Sequence, residues 1–380
     1  MKKTLLTLLA CTMLAVSVAG CSSPDSAVHD AANPLETSET VPKAAETTAE
    51  SVSETVGEST TAISSEAVSH DTSDSWAPAP TKEPLRVGSL KGPTSMGLVS
   101  LMDRSAKGEA EGNYEFTMVT AADELTAKMV SGDLDIALVP ANMAGILYNK
   151  TNHQVNVIDI NTLGVLYIVS ADTSIQRIAD LKGKTIYLTG KGTSPDFVLQ
   201  YLLSANGLTT SDVTLEYKSE PAEVAALLKS QPDAIGLLPQ PFVTVAMAQN
   251  ESLQMVLDLT AEWEALEGAE GSLVTGVTIC RSDLLADPET ASGIQLFMEE
   301  HQASADFARE HTEETAQLVA DAGIIEKAPI AQKAFPYCSI TYQDGETMKA
   351  MLSGYLNVLF DLNPASVGGS LPEDDFYYIP

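Results

Sequence analysis

Two short turns hold the residue types best suited to gripping a small polar molecule. One is Lys91-Gly92-Pro93-Thr94-Ser95-Met96, which follows the apolar run Leu85 to Leu90; the other is Gly190-Lys191-Gly192-Thr193-Ser194, which follows Ile186-Tyr187-Leu188. Each combines a lysine, hydroxyls and glycine backbone at what reads as the start of a helix. Thr and Ser side chains cap helices well. A helix N-terminus also carries unpaired N–H groups and partial positive charge, which suit an anion or a polar head group. Plain capping uses the same residues, and Pro195 is an ordinary residue for a first helical turn. The second turn is not a phosphate loop, because the Gly-x-x-x-x-Gly-Lys spacing is absent. Asn142 and Gln240 stand at the ends of apolar runs, where they can bond a ligand or satisfy their own turns. Trp263, in Glu262-Trp263-Glu264, either stacks on a planar ligand or covers core. The candidate ligand residues are therefore Lys91, Pro93, Thr94, Ser95, Met96, Asn142, Lys191, Thr193, Ser194, Gln240 and Trp263. Lys91 and Lys191 are the cations of these turns. An anionic head group follows if both face the ligand, and a neutral or aromatic one if they point to solvent.

Catalytic chemistry has little to stand on. General acid–base work at neutral pH usually uses a histidine or a tuned carboxylate pair. His29 and His70 lie in a polar tract, His153 follows a helix, His301 and His311 sit on charged helices, and none falls in a candidate turn. No Ser/His/Asp set, metal cluster or cofactor motif is visible. Cys280 and Cys338 lack metal-ligand spacing; they are either the disulfide of an exported protein or two buried thiols, and the apolar run around Cys280 favours thiols.

The elements that must position the turns alternate between strand and helix. Strand Leu85–Leu90 is followed by a helix from Pro93 to about Arg104. Then come strand Phe116–Val119, helix Asp123–Val130 closed by Gly132, strand Leu134–Val139, and a helix from Pro140 to about Lys150. Leu163–Ala171 reads as one long apolar strand. A second set follows: strand Thr185–Thr189, helix Phe197–Ala205, strand Val213–Tyr217, helix Ala222–Lys229 and strand Ala234–Leu238. Pro239-Gln240-Pro241 then mirrors Pro140-Ala141-Asn142. Leu273–Arg281 is a further strand, and helices Pro288–Glu310, Glu313–Ala322 and Met348–Leu359 complete the chain, with an aromatic tail, Phe376–Ile379, expected at the surface. This spacing implies βαβ units, mainly parallel sheets and two α/β lobes.

Charge and composition narrow the partners. A net charge of −31 over 380 residues argues against nucleic acid and against a polybasic membrane surface. Residues 1–20 read as a targeting segment, with Lys2 and Lys3 before an apolar run too short to span a bilayer. Val18-Ala19-Gly20-Cys21 resembles a bacterial lipobox, which implies lipidation of Cys21 and anchoring without spanning. From Ser22 to Glu83 there are twelve acidic residues, two lysines and few large apolar residues, so this stretch is expected to be a disordered tether.

Several runs carry a wider resemblance: the lipobox, Ser131-Gly132-Asp133-Leu134-Asp135-Ile136-Ala137, Ile178-Ala179-Asp180-Leu181-Lys182-Gly183-Lys184, and Pro239-Gln240-Pro241. From Pro84 onward the chain resembles solute-binding lipoproteins of bacterial ABC importers with the type II periplasmic-binding fold, in the group that binds nitrate, taurine, aliphatic sulfonates and thiamine-pyrimidine precursors. The resemblance implies two lobes joined by crossover strands acting as a hinge. The implied boundaries are 1–20 leader, 21–83 lipidated cysteine and linker, 84–170 first lobe, 171–272 second lobe, and 273–380 return crossover and C-terminal helices. It implies a monomer, tethered to the outer face of a Gram-positive-like cell membrane, that clamps a small solute between strand-to-helix turns and delivers it to permease and ATPase subunits. A ligand-sensing surface lipoprotein, or an enzyme on the same fold such as a chorismate dehydratase, stands as the alternative.

Overall fold

The structure is a computed structural model that describes residues 83–266 and 271–380. The leader, the lipobox with Cys21 and the tether up to residue 82 lie outside the described residues.

Among the described residues, eleven strands form two sheets. The first contains β1 (Leu85–Leu90), β2 (Tyr114–Val119), β3 (Ile136–Pro140), β4 (Val155–Thr162), β10 (Gly276–Arg281) and β11 (Ile340–Gln343) in the order β11-β4-β10-β3-β1-β2. The second contains β5 (Leu166–Ser170), β6 (Thr185–Leu188), β7 (Thr214–Tyr217), β8 (Ile235–Pro239) and β9 (Gln254–Asp258) in the order β7-β6-β8-β5-β9. Each sheet is parallel at one side: β2-β1-β3 in the first and β7-β6-β8 in the second. Pairing turns antiparallel where a strand arrives from the other sheet, with β10 against β3 and β4, and β5 against β8 and β9. The chain crosses between sheets from β4 to β5 and again from β9 to β10.

The helices are α1 (Pro93–Met96), α2 (Val99–Ala106), α3 (Ala122–Ser131), α4 (Ala141–Lys150), α5 (Ser194–Ala205), α6 (Pro221–Ser230), α7 (Phe242–Gln249), α8 (Leu259–Glu264), α9 (Ser282–Ala286), α10 (Pro288–Glu310), α11 (Thr312–Asp321), α12 (Ala328–Ala334) and α13 (Gly345–Leu362). Side chains alternate across a strand, so each sheet needs cover on both faces. On β3, Ala137 and Val139 pack towards α4 and α13, while Ile136 and Leu138 pack towards α2 and α10. In the second sheet Ile186 and Ile235 meet α5, and Tyr167 and Val169 meet α6 and α7. The close approach of α3 to β1 depends on Gly88, where a Cβ would lie 2.4 Å from Leu134 and 2.5 Å from Leu125.

Several expectations change. The single helix after β1 is two, α1 and α2, broken at Gly97-Leu98, where Gly97 abuts Ala305 and Ile340. The long strand Leu163–Ala171 is only β5; residues 163–165 are the crossover, and the polar-looking β4 precedes it. Polar β4 is a core strand because its polar groups pair internally: Thr278 Oγ1 donates to Asp159 Oδ1 at 2.7 Å, Asn161 Nδ2 donates to Thr278 Oγ1 at 3.1 Å, and His301 Nδ1 lies 3.1 Å from Asp159 Oδ2. His301 is wholly buried on an otherwise charged helix. The aromatic tail is only partly a surface feature: Phe376 is buried against Tyr148 and Tyr377 bridges to Val157, while Ile379 is exposed. Cys280 and Cys338 are buried free thiols, and burial pushes the Cys338 thiol up to about 12.

Candidate functional site

The carboxyl ends of the parallel strands in both sheets face one cavity of about 320 Å³. That is where open α/β sheets place ligands, because loops there meet helix N-termini. From the first sheet come Lys91 to Thr94 after β1, Thr120 to Asp123 after β2, Pro140 at the end of β3, and Thr275 before β10. From the second come Thr189 to Pro195 (Gly192 excepted) after β6, Lys218, Ser219 and Pro221 after β7, and Pro239 at the end of β8.

The turn after β1 is pinned from below. Ser95 Oγ lies 2.8 Å from Ser89 Oγ and 2.5 Å from the Leu90 carbonyl, so this hydroxyl is spent on its own turn. Thr94 beside it is 5% exposed, and its Oγ1 has no hydrogen-bond partner. Across the crossover, Thr275 is 7% exposed and its Oγ1 is likewise without a partner. Its backbone is fixed, with the Thr275 N–H donating to the Thr162 carbonyl at 3.0 Å and the Ala141 N–H donating to the Thr275 carbonyl at 3.0 Å. A buried polar group without a partner costs about 1–3 kcal/mol. Two such hydroxyls in one cavity wall are therefore groups with a bond left to make.

The turn after β6 is organised by Asp196, 4% exposed on the first turn of α5. Its carboxylate accepts from the Gly192 N–H at 2.8 Å, Gln200 Nε2 at 2.7 Å and the Tyr217 hydroxyl at 2.8 Å. Gly190 (φ 72°) and Gly192 (φ 74°) adopt the left-handed conformation that lets so short a turn close. Thr193 Oγ1 donates to the Gly190 carbonyl at 2.7 Å, so it caps the turn rather than facing outward unpaired. Burial, with the bond to Asp196, pushes the Tyr217 hydroxyl well above its usual range. The face of the same ring carries Lys191 Nζ, 5.3 Å from its centre.

Three lysines line the cavity: Lys91, Lys191 and Lys218, the last with its Nζ 5.5 Å from the centre of the Tyr187 ring. Asp123 is the one carboxylate among the described lining residues. None of the three lysines has a carboxylate within ion-pair distance among the described residues. In a chain of net charge −31, this concentration of unpaired positive charge is a local reversal.

The structure thus brings Lys91, Pro93, Thr94, Lys191, Thr193 and Ser194 to one cavity wall. It does not bring the other candidates there. Ser95 and Met96 are fully buried beneath the turn. Gln240 is fully buried and its Oε1 accepts from Thr244 Oγ1 at 2.9 Å, holding the start of α7. Trp263 is 1% exposed, packed between Tyr201 and Tyr355, with its ring N–H donating to the Gly271 carbonyl at 3.2 Å; it belongs to the core. Asn142, also fully buried, ties the halves together: its Nδ2 donates to the Gly192 carbonyl at 3.2 Å and the Ser366 carbonyl at 3.0 Å. Sequence reasoning missed Thr120, Lys218, Ser219 and Thr275. The first three follow from the strand-to-helix rule applied to β2 and β7, whose turns lack the Gly/Ser/Thr signature. Thr275 precedes a strand, and no local signal marks it. Among the described residues one group has metal-ligand proximity: His153, Glu373 and Asp375, all exposed and none lining the cavity.

Two sheet-based lobes, two crossings and a cleft built from strand-to-helix turns define the periplasmic-binding-protein fold. Residues 109–257 match the family model of the phosphonate ABC-transporter periplasmic substrate-binding protein. A Brucella abortus protein named as a binding protein is 23% identical over 283 residues, covering 73% of this chain and 84% of the relative. Among solved structures, an ABC transporter protein from Parabacteroides distasonis aligns with a TM-score of 0.63 at 23% identity, over 78% of this chain and 98% of that one. The periplasmic aliphatic sulphonate binding protein SsuA of Escherichia coli aligns with a TM-score of 0.62 at 17% identity, over 79% and 93%. The resemblance to ABC-transporter solute-binding proteins therefore holds in both sequence and fold. No helix among the described residues is long and apolar enough to cross a membrane.

Proposed function

We propose that this chain is the solute-binding component of an ABC importer and that it captures a small organic anion of the phosphonate or sulfonate type. The observation that carries the reading is the cavity itself. Three lysines without carboxylate partners and two buried, unpartnered threonine hydroxyls converge there from both sheets. A tetrahedral anion has several acceptor oxygens and a charge that three ammonium groups and helix N-termini can share. The family match supports the same class, since residues 109–257 contain Lys191, Lys218 and the turns at Thr120, Pro140 and Pro239. The ligand residues are Lys91, Thr94, Thr275, Lys191, Ser194 and Lys218, with Thr193 shaping the wall.

Capture proceeds by closure. An anion bonded to Thr94 and to Lys191 contacts both lobes, and closure is favoured by the contacts made only in the closed state. Cys21 carries the lipid, residues 22–83 the tether, and the loaded monomer delivers its solute to permease and ATPase subunits at the membrane. The direct test is a thermal-shift and calorimetric screen with inorganic phosphate, methylphosphonate, methanesulfonate and taurine. At 100 times its dissociation constant a ligand adds about 2.7 kcal/mol of stability, a plain rise in melting temperature. Recovery of the bound anion unchanged fits transport, whereas turnover redirects the reading to catalysis. No shift with any tetrahedral anion refutes the anion site.

A further inference from the structure

Gly276 opens β10, immediately after Thr275, where the chain returns from the second sheet. It does not line the cavity, yet its missing side chain shapes it. A Cβ at this position would lie 2.6 Å from Thr94 Cγ2 and 2.6 Å from Asn161 Oδ1, closer than a nonbonded carbon approaches either atom. The Thr94 methyl group therefore rests on bare β10 backbone. A glycine inside a strand often marks such a close approach.

Asn161 reaches the same spot because β4 is irregular there. Gly276 pairs with Thr162, but the next residue, Val277, pairs with Ile160, so Asn161 is an extra residue in β4. A bulge of this kind re-aims a side chain. Asn161 is buried and its amide is held at both ends: Nδ2 donates to Thr278 Oγ1 at 3.1 Å, and Oδ1 accepts from Thr162 Oγ1 at 2.9 Å. It cannot swing aside without breaking one of these bonds. Gly276 and Asn161 thus form a socket, and the Thr94 methyl group fills it.

We propose that Gly276 and Asn161 are positioning residues of the anion site: their socket holds the Thr94 methyl group and so fixes the χ1 rotamer that leaves the Thr94 hydroxyl unspent for the ligand. This rests on the anion reading above and deepens it. A helical threonine splits readily between rotamers, because its hydroxyl can turn to a carbonyl of its own helix. Such a turn would carry the methyl group out of the socket, and the packing lost there opposes it. The unpartnered Thr94 Oγ1 is the visible result. Gly276 and Asn161 act on the anion through Thr94 and not by touching it.

Calorimetry of the full chain with inorganic phosphate and methylphosphonate tests this. Gly276→Ala should weaken binding about tenfold, the loss of one hydrogen bond to a charged ligand. Thr94→Ser keeps the hydroxyl and removes the methyl group. In that background Gly276→Ala has no methyl group to displace and should change affinity by less than about twofold. A glycine needed only for folding would lower the urea midpoint without this dependence on Thr94. Asn161→Ala adds no atoms to β10 and covers the case in which Gly276→Ala does not fold. It should weaken binding about threefold or more beside Thr94, and by less than about twofold beside Thr94→Ser. Unchanged affinity in both single variants, or equal losses in the two backgrounds, overturns the socket while leaving the anion site standing. No binding of either anion by the unaltered chain overturns both.

Discussion

The turns after β1 and after β6 occupy equivalent places in their sheets but solve the problem of presenting a ligand group in opposite ways. After β1 the inner hydroxyl, Ser95, is consumed in fixing the turn, and the neighbouring Thr94 hydroxyl is left without a partner at the cavity wall. After β6 the hydroxyl of Thr193 is consumed, and what is presented is charge: Lys191, seated on a Tyr217 ring that is itself held by Asp196. One side offers a hydrogen bond and the other a cation. Under the proposed reading, the ligand that satisfies both is an acceptor and an anion.

Substitutions can break this contrast. Asp196→Ala should have the largest effect. It strands the Gly192 amide, Gln200 and the Tyr217 hydroxyl, and should cost roughly 3 kcal/mol of unfolding free energy. Urea denaturation reads this directly, and an unchanged midpoint would show that the β6 turn is held by its glycines alone. Next come the two threonines. Thr94→Val keeps the shape but removes the free hydroxyl, and should weaken anion binding about tenfold or more, the cost of a bond to a charged group. Thr193→Val, at the equivalent place, should change affinity less than twofold, since its hydroxyl is committed to Gly190. Equal losses in calorimetry at the two sites would erase the asymmetry.

Much of the frame was legible because apolar spacing and punctuation agree there. Helix α3 ends at Gly132, whose φ of 78° is the left-handed cap its position suggests, and α10 runs from Pro288 to Glu310 as its spacing indicates. The strands missed were β4, β9 and β11. In β4 the sequence Val-Asn-Val-Ile-Asp-Ile-Asn-Thr looks like a polar edge, yet Asp159 is fully buried because Thr278 and His301 come to it from distant parts of the chain. Pairing of that kind has no local signature. The cleft divides similarly. Turns rich in Gly, Ser and Thr announced themselves, whereas Gln240 was open to either reading and Trp263 favoured core, and both are held inside, by Thr244 and by Tyr201 and Tyr355. Whether a polar residue at a strand end is spent or free depends on neighbours that spacing cannot reveal.

The lysines around the cavity also bear on how fast a solute can arrive. At low ionic strength, where the Debye length is long, an approaching anion meets the field of the whole chain, at −31, and is turned away. Only within the mouth does it meet Lys91, Lys191 and Lys218. Raising ionic strength from about 0.01 M to 0.15 M shortens the Debye length from about 30 Å to about 8 Å, which hides the distant charge before it hides the near one. Association should therefore speed up with salt while dissociation also quickens, the reverse of ordinary electrostatic steering in its first half. Stopped-flow binding across that range would show it, and an association rate that falls with salt would mean that the cleft lysines dominate even at long range. Near 0.15 M salt, the acidic exterior should cost the cleft little in capture rate.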